Sequence, residues 1–416
     1  MWKLVFQVVP VVAWVVALLV VIRPLALSRC GTFAASALLA VAFAKFAFFA
    51  TVGGDAFTPD LPPVVIWVYG WAYASAMLLT ASVFLLAVVR ALLALAKVRV
   101  SVRTVRGVFA AFAVLAAALS AWGIYDGVRT PDISRIEIAY DDLPPAFDGY
   151  RIAHLSDLHC SPSARRPRFA RIVERVNALD ADLVAITGDF VDGRVCERLD
   201  DLAPLAHLRA RDGVWGCTGN HERYWEWDAW SDALTRLGVR VFDGTNRFAG
   251  NVITRGDAVL AIGGLGDPAF FGDFEPDERA IAVWTARTQQ AFVGAPKGAF
   301  RILLFHRPCT ERIGAEQADV KLQLSGHTHG GAMPGVRWLV ARVNEGHVRG
   351  FYEFAKGRYL HVSPGTGQWA GFPLRLFNPA EITEITLRRR CPLNPGDRPW
   401  CTRILKLRFT LARRNA

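Results

Sequence analysis

Oxygen and imidazole side chains recur along this sequence at the ends of short apolar runs. The densest group is Ser325-Gly326-His327-Thr328-His329-Gly330-Gly331, directly after Val320-Lys321-Leu322-Gln323-Leu324. Residues i and i+2 of a strand point the same way, so His327 and His329 can share a target. The glycines let backbone approach something bulky and charged. Two imidazoles aimed at one point read most simply as metal ligands. The same pattern occurs upstream. Arg151–Ser156 reads as a strand ending in Asp157-Leu158-His159. Asp182–Thr187 runs into Gly188-Asp189-Phe190-Val191-Asp192-Gly193, and Gly213–Cys217 into Gly219-Asn220-His221-Glu222. Phe300–Phe305 ends in His306-Arg307-Pro308.

In open α/β sheets the carboxyl edge of the strands is where ligands bind, so these clusters can converge. The set is Asp157, His159, Asp189, Asn220, His306, His327 and His329. It contains no thiolate, which suits Mn, Fe or Zn better than a structural Cys-rich zinc site. This many donors exceed one catalytic ion and suit two ions about 3.5–4 Å apart that share a carboxylate. Any one cluster alone could be a turn Asp, a capping Asn or a core His. Their joint appearance in order is what argues for a site.

The elements that must position these residues begin at Tyr150, where the pattern becomes strand, loop, helix, repeated. That is an α/β signature. A helix is predicted over 167–179, with Phe169, Ile172, Val173 and Val176 at helical spacing. A hairpin-like stretch is predicted over 239–264. Before the domain, 130–150 reads as a connector with one alternating run, Ile136–Tyr140.

The N-terminal quarter is different. The chain has 416 residues, 52% of them hydrophobic and 20% charged, and the apolar excess lies in the first 125. A membrane helix needs about 20 mostly apolar residues. Four stretches qualify, near Val5–Ile22, Thr32–Val52, Val64–Val89 and Val108–Tyr125. A cleaved signal peptide does not fit, since three more spans follow the first. Arg23 and Arg29 mark the first loop, and Arg90, Lys97, Arg99, Arg103 and Arg106 the third. The second loop holds Asp55 and Asp60 and no basic residue. Basic loops stay on the cytoplasmic side. The N-terminus, the second loop and everything after Tyr125 are therefore expected outside. Trp67, Tyr69, Trp71 and Tyr73 open the third span as an aromatic belt would. Lys45 interrupts the second span, as a snorkelling lysine or as a functional charge. The net charge of +11 lies largely beside apolar spans and in the tail from Arg388 to Arg414. That placement favours an anionic lipid surface over nucleic acid, for which no recognition module is visible.

Asp-x-His, Gly-Asp-x-x-Asp, Gly-Asn-His-Glu, a strand-end His and Gly-His-x-His, in that order, resemble the calcineurin-like metallophosphoesterase superfamily. The resemblance covers 150–387. Val362–Gly367 and Leu374–Ile382 are similar to the closing region of a bacterial membrane-associated branch. It implies an α/β fold of two mixed sheets flanked by helices, here behind a four-helix transmembrane region. The expected division is 1–126 membrane, 127–149 connector, 150–390 phosphoesterase and 391–416 basic extension. It implies two divalent ions (Mn, Fe or Zn). Asp157, His159 and His329 would bind one, and Asn220, His306 and His327 the other, with Asp189 shared. His221 would contact the phosphate and assist the leaving group, and Asp192 would orient His221. Phosphate esters would be hydrolysed by a hydroxide held between the metals. Ala332 departs from the glutamine that many relatives carry after the Gly-His-x-His-Gly-Gly run. The four-span anchor is a second departure.

Other features carry weaker expectations. Arg223–Trp230 is aromatic-rich and reads as packing of an amphipathic helix or as an acyl-chain groove. Phe270–Phe274 reads as an apolar loop and a possible lid. Of seven cysteines, six follow the last span, and Cys391 with Cys401 is the expected disulfide. His154, His207, His347 and His361 are expected to be structural. The expected function is a membrane-anchored phosphoesterase acting outside on a phospholipid or other envelope phosphoester. Two competitors stand: a cytoplasm-facing pyrophosphate hydrolase of UDP-diacylglucosamine type, and a metal-binding sensor or scaffold without catalysis.

Overall fold

The structure is a computed structural model that describes residues 11–25, 27–244, 251–270, 277–331 and 337–390. The expected Cys391–Cys401 pair, the basic extension, Ala332 and most of the Phe270–Phe274 loop lie outside the described residues, as do the first residues of the first apolar stretch.

Residues 11–17 are helical and continue as a π-turn, Leu18–Ile22. The second apolar stretch forms two helices, α1 (Arg29–Phe43) and α2 (Lys45–Val52), bent by 57° at the break. Ser28 caps α1 by accepting the Gly31 N–H. Then come α3 (Pro63–Leu95), with proline at its first turn, and α4 (Val102–Val128), capped by Ser101. At 33 and 27 residues these two are long and apolar enough to cross a membrane, and the bent pair passes the same test only when its two helices are taken together as one span. Leu85, Leu92, Val114 and Leu115 project outward from them, as lipid contact requires.

The rest is a sandwich of two six-stranded mixed sheets. The strands are β1 (Asp132–Tyr140), β2 (Arg151–Leu155), β3 (Leu183–Thr187), β4 (Val214–Cys217), β5 (Val239–Phe242), β6 (Asn251–Arg255), β7 (Ala258–Gly264), β8 (Phe300–Leu304), β9 (Val320–Ser325), β10 (Gly350–Ala355), β11 (Arg358–Val362) and β12 (Glu381–Arg389). One sheet runs β1-β12-β2-β3-β4-β5 and the other β10-β11-β9-β8-β7-β6. Strands β2 to β5 are mutually parallel, as are β7, β8, β9 and β11. Their carboxyl ends therefore lie at common edges. Every residue of β3 is buried, which a parallel strand covered on both faces requires.

The core between the sheets is built by Ile152, Leu183 and Trp215 from one and Ile262, Ile302 and Leu322 from the other. The outer face of the first sheet packs Phe169, Ile172 and Val176 of the amphipathic helix α5 (Arg166–Asn177).

Two expectations change in detail. The stretch 239–264 is no single hairpin: β5 closes one sheet and β6–β7 pair in the other. Turn residues cannot say which sheet a strand joins. The connector contains a longer strand than its alternation indicates, because β1 lies at a sheet edge beside β12, and its outer residues stay solvated.

Candidate metal centre

Strand ends β2, β3, β4, β8 and β9 deliver the candidate ligands to one place. His306 Nε2 lies 3.3 Å from Asp189 Oδ2 and 3.2 Å from His327 Nδ1. His159 Nε2 lies 3.7 Å from Asp189 Oδ2 and 3.0 Å from His329 Nε2. His329 Nε2 lies 3.4 Å from Asp157 Oδ1. Within three overlapping trios, one donor atom from each member falls within 4.8 Å of the others: Asp157, His159, His329; His159, Asp189, His221; and Asp157, Asp189, His306. Asn220 follows Gly219, where a Cβ would sit 2.2 Å from Asp189 Oδ1, so only glycine fits that approach. Gly326 is as constrained: a Cβ there would meet Ser156 Oγ at 1.7 Å.

Three observations fit a pair of divalent cations. The donors are oxygen and imidazole, as hard and borderline cations want. Asn220 Oδ1 is buried with no hydrogen-bond partner, while its Nδ2 faces the Tyr224 hydroxyl at 3.4 Å, leaving a carbonyl oxygen without a donor. Five of the seven candidates hold left-handed backbone: Asp157 (φ 51°), His159 (46°), Asp189 (52°), His327 (71°) and His329 (47°). Each such residue costs about 1–3 kcal/mol, and strain of this kind persists at sites where geometry serves a ligand.

The second nitrogens of the imidazoles are oriented. His306 Nδ1 donates to the Thr187 carbonyl at 2.7 Å, which aims Nε2 at Asp189. Asp192, wholly buried, accepts from His159 Nδ1 at 3.0 Å through one oxygen and from His221 Nδ1 at 2.5 Å through the other. One carboxylate thus sets two rings. His221 and His329 keep 16% and 20% of their side chains exposed, so the cluster opens on their side.

The electrostatics record crowded charge. Burial lifts the Asp157 carboxyl, whereas His306 and His221 hold Asp189 well below the usual range against its burial. Burial also raises Asp192, but His159 and His221 outweigh it and bring it to about 2. Asp189 and Asp192 outweigh the burial of His221 and raise it to about 9, and Asp189 does the same for His306, to about 10. Burial drives His327 and His329 well below the ordinary imidazole range. Cations compete with protons for such groups.

Several residues that belong to the motifs but carry no role assigned from the sequence frame the site. Glu222, fully buried, accepts backbone N–H groups of Asp189 (3.1 Å), Phe190 (2.7 Å) and Gly219 (2.7 Å), so it holds two ligand loops together. Burial and Asp189 raise it to about 7. The loop 363–376 approaches from the far side. Gly367 N–H donates to the Asp157 carbonyl at 3.0 Å. The buried Arg375 donates to the carbonyls of Pro364 (2.7 Å) and Gly367 (2.6 Å) and faces His329 Nδ1 at 3.4 Å. The same loop enters the helices. Arg375 N–H donates to Gly123 of α4 at 3.0 Å, Phe372 meets Tyr73 of α3 edge-on, and Lys45 donates to the Gly371 carbonyl. Asp60 lies 3.7 Å from Arg198. Lys45 is fully buried rather than snorkelling.

The other expectations sort as follows. Trp230 is buried in the sheet-and-helix core and donates to the Gly193 carbonyl at 2.9 Å, so this ring is packing. His154 and His361 pair at 2.9 Å between the sheets. Cys160, Cys196, Cys217 and Cys309 are free thiols, as is Cys30.

Residues 150–331 match the calcineurin-like phosphoesterase family. A transmembrane protein with a metallophosphoesterase domain from Danio rerio is 28% identical over 278 residues, covering 66% of this chain and 62% of that protein. Its namesake from Bos taurus is 31% identical over 277 residues, covering 65% and 60%. An uncharacterised metallophosphoesterase from Aquifex aeolicus is 30% identical over 262 residues, covering 62% of this chain and 91% of the relative. The chain thus spans about three fifths of the length of the two transmembrane relatives.

Proposed function

Because the chain belongs to the calcineurin-like phosphoesterases, hydrolases of phosphoester bonds that use two divalent metals, we propose that it is a membrane-anchored dimetal phosphoesterase acting on a lipid or other envelope phosphoester. The observation that carries this reading is the loop 363–376. It bonds the backbone of Asp157 at one end and lies among apolar helices at the other.

In this reading Asp157, His159 and His329 hold one cation, Asn220, His306 and His327 hold the second, and Asp189 serves both. The ions are of the Mn, Fe or Zn kind. When bound, they neutralise phosphate charge and acidify water. His221 presents Nε2 to the opening because Asp192 engages Nδ1. From there it contacts the phosphate and supplies a proton to the departing oxygen. Asp192 keeps His159 and His221 in register.

The anchor comprises four spans over 1–126, with 127–149 as connector, 150–390 as the catalytic unit and 391–416 as a basic extension. The catalytic unit faces outside. Two features support that orientation. The unit packs on the helix ends nearest Asp55 and Asp60, and the Arg-rich loop 90–106 lies at the opposite ends of α3 and α4.

The test is a substrate panel on the purified full chain in detergent with Mn, Fe or Zn. Lipid monoesters and diesters are compared with soluble esters. We expect turnover that a chelator abolishes and added metal restores, with a lipid ester preferred. Chelator-resistant turnover, or cleavage of soluble esters alone, would count against the proposal.

A further inference from the structure

An apolar cleft of about 780 Å³ runs along the helices beside the catalytic unit. Trp14, Phe43, Phe46, Ala47, Ala50 and Phe57 line it. Its volume falls within the range of about 300–1,000 Å³ typical of ligand sites. The sequence builds it simply. Ala47 and Ala50 stand exposed one helical turn apart on α2, where a larger side chain would fill the space. Lys45, buried and bonded to Gly371, is not part of the lining, so no charge of α2 enters the cleft. Asp55, the one acidic residue lining it among the described residues, is engaged by the N–H groups of Phe57 (2.8 Å) and Thr58 (2.7 Å). A dry apolar cleft among membrane helices is a place for hydrocarbon, not water.

Two ring contacts link a wall of the cleft to the metal centre. The Phe57 ring stacks on Trp369, with centroids 5.5 Å apart and planes at 25°. Trp369 in turn meets His221 edge-on at 6.1 Å. Its indole Nε1 is buried and has no hydrogen-bond partner. An unpartnered donor costs free energy unless an acceptor reaches it, and a phosphate or glycerol oxygen beside His221 is such an acceptor.

We propose that this cleft holds the acyl chain of a lipid phosphoester, with Trp369 at the junction where the chain gives way to the phosphate at His221. The proposal rests on the membrane-phosphoesterase reading and adds where the lipid lies. Ala50 adjoins the 53–58 turn and marks the mouth, while Ala40 lies on α1, beyond the bend.

The experiment uses the full chain in detergent micelles. The lipid probes are dioleoyl and dihexanoyl phosphatidic acid and phosphatidylglycerol. The soluble ones are p-nitrophenyl phosphate and bis-p-nitrophenyl phosphate. Ala50→Trp should lower kcat/KM on the dioleoyl lipids about tenfold more than on the soluble esters, through KM. Ala40→Trp should penalise dioleoyl over dihexanoyl lipids, because only a long chain reaches it. Should Ala50→Trp fail to assemble, Ala47→Leu must show the same discrimination in smaller degree. Equal losses on every substrate, or none on the dioleoyl lipids, would overturn the cleft assignment while leaving the lipid reading standing. Cleavage of the soluble esters with no lipid cleaved would overturn the lipid reading, and the cleft with it.

Discussion

The strand-end cluster and the membrane helices both bury charge, and they do so by opposite means. At the strand ends, Asp157, Asp189, Asp192 and their imidazoles crowd together, each fixed by further hydrogen bonds and many held on left-handed backbone. In the helices, Lys45 is buried with one carbonyl and the faces of three rings: Phe46 at 4.1 Å, Phe49 at 4.9 Å and Tyr73 at 5.4 Å. The first arrangement concentrates charge for a ligand. The second spends a single charge on position. The loop 363–376 joins them: Arg375 grips its two ends beside His329, and Lys45 grips its tip among the helices. The helical region therefore holds the loop that borders the site.

Four substitutions test this contrast. The largest effect is expected at Asp189, the carboxylate proposed to serve both ions. Asp189→Asn should lose bound metal, read by elemental analysis, and turnover with it; a variant that kept both ions would break the shared role. Next is His221→Ala, which should keep both ions while turnover falls by about 10²–10⁴-fold. A matching loss of metal would make His221 a ligand instead. Asp192→Asn should cost about 10–100-fold, as outer partners of metal ligands do. Because Asp192 acts partly through His221, combining the two substitutions should cost less than the sum of their separate free energies. The smallest effect is expected in the helices. Lys45→Met removes the donor to Gly371 and leaves a buried carbonyl unpartnered, at a cost of about 1–3 kcal/mol read in thermal or detergent unfolding. Metal content should stay, and activity should fall only modestly as the loop loosens. A Lys45→Met protein as stable and active as the parent would uncouple the two regions.

Much of the fold could be read along the chain because its signals are local. Buried parallel strands appear as unbroken apolar runs, such as Leu183-Val184-Ala185-Ile186, and the long helices as apolar stretches. What escaped was partnership across distance. Nothing around Val239 announces one sheet and nothing around Val252 the other. Glu222 looked like the tail of a motif, yet it accepts bonds from a loop more than 30 positions upstream. The aromatic run at Arg223–Trp230 brings Tyr224 to His221 at 5.3 Å, whereas the indole that meets His221 is Trp369, nearly 150 positions downstream and without a local pattern. Arg375 read as part of a closing motif and gave no sign that its side chain would reach His329.

The sequence by itself determined the types of donor, their order and their places at strand ends, because strand periodicity and glycine-bounded turns are encoded within a few residues. It also determined that the first quarter is apolar enough for a bilayer. Only the tertiary structure decided which donors share a partner, why Lys45 turns inward and which loop stands between the helices and the cluster. Those outcomes depend on the packing of two sheets and a helical bundle against each other, and contacts between residues hundreds of positions apart leave no periodic trace in the chain.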